Sequence, residues 1–347
     1  MMNSMIDSIH GCLLGLACGD AMGMPGLSSY EQNLEVFGGE LTTFVKPVDD
    51  PEIDPVHYLL PAGMVTDDTF GAVAIMDAIV RRREVSIDTF VESNIAWVTY
   101  ADDLSFKFGR DRGLAGPSTS KAIELLQSGV SPYETGKNGM TNGVASRVPP
   151  VGFLYPGDLE ATVDATELSC IPTHNTNVAI SAASAVSCAI SVMAAGEKSL
   201  DVILEAAKRG AEIGRSRGKK VYCPSVAKRI DLAVKVATSG KGKREICQEI
   251  YDLVGTYLPA YEVVPAALGV FALEKGNPVN TLLTAINVGG DGDTLGAIAG
   301  ALAGALYGYE AFPAEYGEFI ENVNHLNLSE KSQAFFDVLQ SKPELIK

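Results

Sequence analysis

Two short acidic strings carry the residues of this chain best suited to chemistry. The first is "TDDT" at 66–69 and the second "GGDGDT" at 289–294, and each leads into an apolar run, "FGAVAIMDAIVRR" and "LGAIAGALAGALYG". Aspartate and threonine at a helix start ordinarily act as N-caps and suit the positive end of the helix dipole. A cap uses one side chain, however, and each string supplies two carboxylates and at least one threonine near glycines that admit close backbone approach. If the two helix starts meet, Asp67, Asp68, Asp291 and Asp293 share a partly buried pocket, where four like charges cannot all stay ionised without cations. Two divalent ions would balance them. With no Cys or His in either string, the all-oxygen donor set selects Mg²⁺, Mn²⁺ or Ca²⁺ over Zn²⁺. Open positions on such ions can take a water and a substrate diol, the arrangement for metal-assisted hydrolysis.

The elements that must position these strings read as helices. Apolar or small residues recur at i, i+3, i+4 and i+7 in "SMIDSIHGCLLGLACGDAMG", "TNVAISAASAVSCAISVMAAG", "SLDVILEAAKRGAEIG", "SVAKRIDLAVKVA", "REICQEIYDLVGTYL" and "FFDVLQSK", as in the two runs above. The expected fold class is all-α, as a single domain over 1–347. Repeated small residues, among them Gly296, Gly300 and Gly304, let helix backbones come close, so several helices should be buried on most sides. Stretches rich in Pro, Gly and Asp at 38–64, 105–118 and 128–158 read as non-helical loops, long enough to be functional.

Composition narrows the function classes. The 347 residues are 46% hydrophobic, enough for a sizeable core, and the six cysteines are scattered without a CxxC pair, as expected of buried thiols in a reducing compartment. No signal peptide opens the chain, and no apolar stretch of membrane-spanning length lacks small or polar interruptions, so the expectation is a cytoplasmic protein without a membrane role. A net charge of −16 argues against general nucleic-acid binding. Between Lys208 and Arg244 basic residues far outnumber the two acids, Glu212 and Asp231, which reads first as a solvated helix face.

Five motifs in order, "GCLLGLACGDAMGMP", "TDDT", "NGVASRVPPVGFLY", "THN" and "GGDGDTLGAIAGALAGALYG", resemble the ADP-ribosylglycohydrolase family, which includes ADP-ribosylarginine hydrolases and the hydrolase that reactivates dinitrogenase reductase. The resemblance runs from about residue 8 to 325. It implies an all-helical fold with two Mg²⁺ or Mn²⁺ ions. Thr66, Asp67, Asp68 and Asp293 would hold one ion, and Asp291, Asp293 and Thr294 the other. It also implies a substrate that is an ADP-ribosylated protein or a small ADP-ribosyl or ribosyl compound, cleaved at the anomeric carbon, with arginine the favoured leaving group. Around the substrate it places Asn142, Gly143, Arg147, His174 and Asp20, the last orienting a ligand or a water. Asp67 and Asp293 would serve catalysis, and Asp111 aligns loosely with an acid that sits near the metals in some relatives. By itself Asp111 reads first as a surface loop aspartate, just as His174 reads equally as a capping or core histidine. Ser118 and Thr119 read instead as the cap of the helix "STSKAIELLQ".

One position departs from the pattern. Many relatives carry a glutamate about eight residues after the glycine of "GDALG", where this chain has Leu27, and the next acid is Glu31. Other readings are a hydrolase of another N- or O-riboside such as a nucleoside, a non-catalytic ADP-ribose binder, or a crystallin-like protein. The "DGDT" string also resembles Asp-x-Asp phosphotransferases, but that class needs alternating strands and helices and a threonine two residues after the second Asp.

Overall fold

The computed structural model describes residues 4–341. It is 67% helical, and the described residues include no strand, only isolated bridges at Thr141–Pro259 and Thr176–Lys219. The helices are α1 (Met5–Gly23), α2 (Tyr30–Phe37), α3 (Asp67–Arg82), α4 (Ile87–Lys107), α5 (Pro117–Gln127), α6 (Pro132–Thr135), α7 (Gly143–Arg147), α8 (Leu159–His174) and α9 (Asn177–Ala194). There follow α10 (Leu200–Gly214), α11 (Val226–Ala237), α12 (Lys243–Glu249), α13 (Ala260–Leu273), α14 (Pro278–Ala285), α15 (Gly292–Tyr307), α16 (Ala314–Asn324) and α17 (Leu328–Ser341).

At the centre α1 and α15 run antiparallel in the most extensive helix pairing of the fold. The cause is a four-residue glycine spacing on both: Gly11, Gly15, Gly19 and Gly23 face Gly304, Gly300, Gly296 and Gly292. A Cβ at Gly15 would lie 2.1 Å from the Gly300 carbonyl oxygen, and one at Gly19 2.0 Å from that of Gly296, so only glycine permits this backbone separation. The small-residue expectation holds, and the pairing brings the start of α15 beside the end of α1. Around this pair pack α9, α13 and α14, all rich in buried apolar residues. By length and hydropathy α9 would span a membrane, yet 89% of it is buried inside the protein, as befits a core helix.

Two expectations are corrected. The segment 128–158 contains α6, α7 and a 3-10 turn at Pro149–Phe153; α6 and the 3-10 turn begin on prolines, where a missing N–H costs nothing, and α7 begins at Gly143. The helix read through "REICQEIYDLVGTYL" widens at Ile250–Val254 and stops at Gly255, whose φ of 84° breaks it. Of the remaining long loops, 38–66 is tied down by two buried asparagines. Asn287 brackets the backbone of Leu41, and Asn324 that of Gly63 and Val65, through hydrogen bonds of 2.8–3.0 Å.

Candidate active site

Neither acidic string caps its helix from the N-cap position, although Asp293 Oδ1 accepts from the Thr294 N–H in the first turn of α15 at 2.8 Å. At the start of α3 the N-cap is Thr66, and at the start of α15 it is Asp291; neither makes a side-chain capping bond. The cap of α3 comes from α1 instead. Asp20, fully buried, accepts from the backbone N–H of Thr66 (2.9 Å) and Thr69 (3.1 Å) and from both their hydroxyls (2.7 and 2.5 Å). Borrowing the cap leaves Asp67 and Asp68 free for other work. Burial nevertheless pushes Asp20 up to about 7 against those hydrogen bonds.

The helix starts do meet, beside a cleft of about 300 Å³. Asp67, Asp291, Asp293 and Thr294 line it, while Asp68 lies just beneath, accepting from the Thr294 hydroxyl at 3.2 Å. Burial, compounded by the charge of Asp293, raises Asp67 to about 6. Burial and its neighbours Asp67, Asp20 and Asp293 drive Asp68 well above the carboxylate range, and burial with Asp293 does the same to Asp291. Burial works in the same direction on Asp293, but the hydrogen bond and charge of His57 outweigh it and hold this group below its ordinary value.

His57, whose Nε2 lies 3.2 Å from Asp293 Oδ2, is the residue that reading the sequence missed. It stands in the 38–66 loop with Asp54, whose Oδ1 accepts from the backbone of Val56 (3.1 Å) and His57 (2.8 Å). The donor set at the carboxylates is therefore not free of histidine, as "TDDT" and "GGDGDT" alone suggest. Only the length of the loop hinted at this. Burial opposes a proton on His57, but the hydrogen bond to Asp293 raises its pKa overall.

The other expected residues fall into two groups. Asn142 and Gly143 line the cleft, and the Asn142 amide donates to Asp291. Asp20, Arg147, His174 and Asp111 do not line it. Arg147, 1% exposed, runs beneath α3 in space that Gly71 leaves open, where a Cβ would lie 1.9 Å from the Arg147 Cδ. It donates to the hydroxyls of Thr119 (3.2 Å) and Thr173 (3.1 Å) and lies over the Trp97 ring. Burial lowers its pKa, opposed by Asp67 and Asp68, so it acts as a buried counter-charge rather than an open phosphate clamp. His174 is wholly buried and held well below its ordinary pKa by burial and by Arg147, so its ring is neutral. Asp111 is exposed and accepts from the Tyr58 hydroxyl at 2.6 Å, on the outside of the His57 loop. That loop is clamped from behind: Arg110 donates to the carbonyls of Val56 and Tyr58, and Arg112 to that of Pro55. The cap reading of Thr119 is also corrected, since Gly116 is the N-cap of α5 and the Thr119 hydroxyl accepts from Arg147.

Leu27 lines the cleft, its N–H held by Asn33 Oδ1 at 2.7 Å. Glu31 is exposed and paired with Arg244, away from the cleft, so it does not supply an acid in place of Leu27. Asp54 and His57 are the ionisable groups that the neighbouring loop adds instead.

The residues suit hard divalent cations. The hydroxyl protons of Thr66 and Thr294 go to Asp20 and Asp68, which leaves oxygen lone pairs for an ion. Buried carboxylates with raised pKa demand protons or cations. Around the cleft, Asp54 Oδ2 and Thr256 Oγ1 are buried without a hydrogen-bond partner among the described residues. Among those residues no three His, Cys, Asp or Glu side chains close into a ready coordination shell, so the carboxylates share a space without yet surrounding a point.

An all-helical fold with clustered carboxylates at two meeting helix starts defines a class, and comparison with known proteins agrees. The sequence matches the family model described as ADP-ribosylglycohydrolase over residues 1–342. The chain belongs to that family and is a hydrolase of its class. It is 28% identical to the uncharacterized protein YegU of Escherichia coli strain K12 over 97% of this chain and 98% of that one. It is 27% identical to ADP-ribosylhydrolase ARH3 of Xenopus tropicalis over 91% of each chain. With ADP-ribosylarginine hydrolase Tri1 of Pseudomonas putida strain GB-1 it shares 24% identity, over 98% of this chain and 81% of the other. A solved structure, the ADP-ribosylglycohydrolase-related protein complex, superposes with a TM-score of 0.67 at 21% identity over 96% of this chain and 99% of that one, a likeness of fold.

Proposed function

We propose that this chain hydrolyses the glycosidic bond at the anomeric carbon of ADP-ribose attached to a protein side chain, with arginine the first choice of leaving group, in a reaction that depends on Mg²⁺ or Mn²⁺. The observation that carries this reading is the meeting of the α3 and α15 starts, which gathers Asp67, Asp68, Asp291 and Asp293 at one cleft while Asp20 of α1 caps α3. The ADP-ribosylarginine hydrolase among its relatives supports the leaving group.

Thr66, Asp67, Asp68, Asp291, Asp293 and Thr294 are the residues to hold two ions. When bound, such ions supply Lewis-acid polarisation of ribose hydroxyls and a water of lowered pKa. The chain's own groups do the rest. Asp20 fixes the orientation of Thr66 and the start of α3, and Asn142 fixes Asp291. Arg147 offsets part of the charge of Asp67 and Asp68 from below. His57 bonds Asp293 from the neighbouring loop, and that bond raises its pKa. The apolar wall of Leu27, Leu114 and Leu258 limits water around the reacting carbon, where anions stabilise an oxocarbenium-like centre.

A panel of ADP-ribosyl-arginine, ADP-ribosyl-serine and nucleosides, scored by release of the ribose-containing product with Mg²⁺ or Mn²⁺ present, tests the reading. The arginine linkage should be cleaved fastest and the serine linkage weakly. Cleavage of nucleosides alone would move the protein to the riboside class, and no turnover of any substrate would defeat the proposal.

A further inference from the structure

Arg147 cannot touch a ligand in the cleft, yet two hydroxyls that line the cleft are tied to it. One tie is direct: Arg147 Nη1 donates to Thr119 Oγ1 at 3.2 Å. The other runs through two buried groups. Arg147 Nη2 donates to Thr173 Oγ1 at 3.1 Å, Thr173 Oγ1 lies 2.8 Å from His174 Nδ1, and His174 Nε2 lies 2.9 Å from Thr141 Oγ1.

The direction of this chain of bonds follows from what each group can do. A guanidinium only donates, so Thr173 accepts from it, and the one acceptor that the described residues offer its own proton is His174 Nδ1. The neutral ring then carries its proton on Nε2 and donates to Thr141. Thr119 and Thr141 thus both accept from behind. Neither hydroxyl proton has an acceptor among the described residues, and both side chains border the cleft. Thr141 is held in place by its neighbours' backbone bonds, Asn142 N–H to Leu258 and Ala260 N–H to Met140, at 2.9 and 3.1 Å. A hydroxyl that accepts from a polarised donor is a stronger donor in turn, so the buried charge of Arg147 is felt in the cleft as two outward O–H groups.

We propose that Thr119 and Thr141 bind the phosphate oxygens of the substrate by donating these two protons, and that Thr173 and His174 are positioning residues that set the direction of the Thr141 hydroxyl. This rests on the glycohydrolase reading for the identity of the phosphate donor, since ADP-ribose carries a diphosphate. The bond directions themselves do not depend on it.

The test is calorimetric titration of the metal-loaded chain with ADP-ribose and, separately, with inorganic diphosphate, alongside ¹⁵N-histidine NMR of the ligand-free protein. Thr141→Val and Thr119→Val should each weaken both ligands about 10-fold, the loss of one hydrogen bond to a charged group. Thr141→Ser should restore binding. Thr173→Val changes nothing that lines the cleft but should weaken both ligands and release His174 from the Nε2–H tautomer, with Thr173→Ser restoring each. Unchanged affinities in Thr141→Val and Thr119→Val, with unaltered melting, would overturn the proposal, as would a His174 ring protonated on Nδ1 in the unmodified chain. Diphosphate binding that responds to these variants in a chain that ignores ADP-ribose would uphold the proposal and sink the glycohydrolase reading, whereas a chain that binds neither ligand contradicts both.

Discussion

Asp293 shares its surroundings with Asp67, Asp68, Asp291 and the His57 imidazole. The hydrogen bond and charge of His57, joined by the Thr294 N–H and by Asp291, hold Asp293 below its ordinary value against burial. Asp67 lies at the mouth of the same cleft, raised to about 6 by burial and by that neighbour. Replacing either with asparagine removes one charge without changing shape. We expect Asp67→Asn and Asp293→Asn to abolish hydrolysis and weaken Mn²⁺ binding while the helical circular dichroism stays intact; calorimetry showing two ions bound as tightly as before would refute the metal assignment. Asp111 is the contrasting case. It reaches only the Tyr58 hydroxyl on the outer side of the loop, and Glu31 reaches Arg244. Asp111→Asn and Glu31→Gln should therefore keep turnover within a few-fold of the unaltered chain, and a loss of 100-fold in either would return that acid to the reacting centre.

Two elements decide whether the carboxylates meet. The first is the α1–α15 pair, whose backbones touch because glycine recurs every fourth residue on both faces. A methyl at Gly300 would lie 2.1 Å from the Gly15 carbonyl oxygen, a contact that flexible side chains cannot relieve. Gly300→Ala should cost about 3 kcal/mol by denaturant unfolding, at the upper end for overpacked cores, and a change under about 0.5 kcal/mol would mean the helices separate freely. The second is the loop that carries Asp54 and His57, which Arg110 holds by two backbone carbonyls while its Nε bonds Ser105 Oγ at 2.7 Å. Arg110→Ala leaves those carbonyls without their partner. Limited proteolysis should then cut within 50–60 faster than in the unaltered chain, and KM should rise more than kcat falls, because the loop borders the cleft without supplying the ligands we assign.

Across the whole molecule a net charge of −16 remains, while part of the basic content is paired locally with surface acids. Much of the basic run from Lys208 to Arg244 is neutralised by nearby acids. Lys208 pairs with Asp231, Arg217 with Asp164 and Glu167, Lys241 with Glu245 and Glu249, and Lys243 with Glu274. The solvated-face reading suits this arrangement. At the cleft Arg147 and His57 offset part of the charge of the carboxylates, and the raised pKa values of Asp67, Asp68 and Asp291 express the imbalance that remains. A ligand that binds only the folded state raises its stability by mass action. Chelator-treated protein should therefore lose turnover and melt at lower temperature, with both recovered on adding Mg²⁺ or Mn²⁺; a melting temperature indifferent to these ions would place the charge balance elsewhere.

The sequence by itself determined the helical class, the acidic strings and, in the glycine spacing of α15, the close approach that seats them. All three are local: periodicity sets which face a helix buries, and a missing side chain sets how near a neighbour can come. It also carried the family pattern from end to end. Partners far apart in the chain were decided by tertiary structure alone. Asp20 reads as one more acid in an apolar helix until the fold sets it under Thr66 and Thr69 and frees Asp67 and Asp68 from capping. His57 lies in a stretch with no periodicity to read, and it meets Asp293 only because asparagines near the other end of the chain and Arg110 hold its loop over α15. Arg147 stands in a motif that suggests an exposed clamp, but burial under Gly71 turns its charge inward to threonines. Hydrogen-bond direction and burial depend on which groups the folded chain brings together, and residue type and spacing do not encode those neighbours.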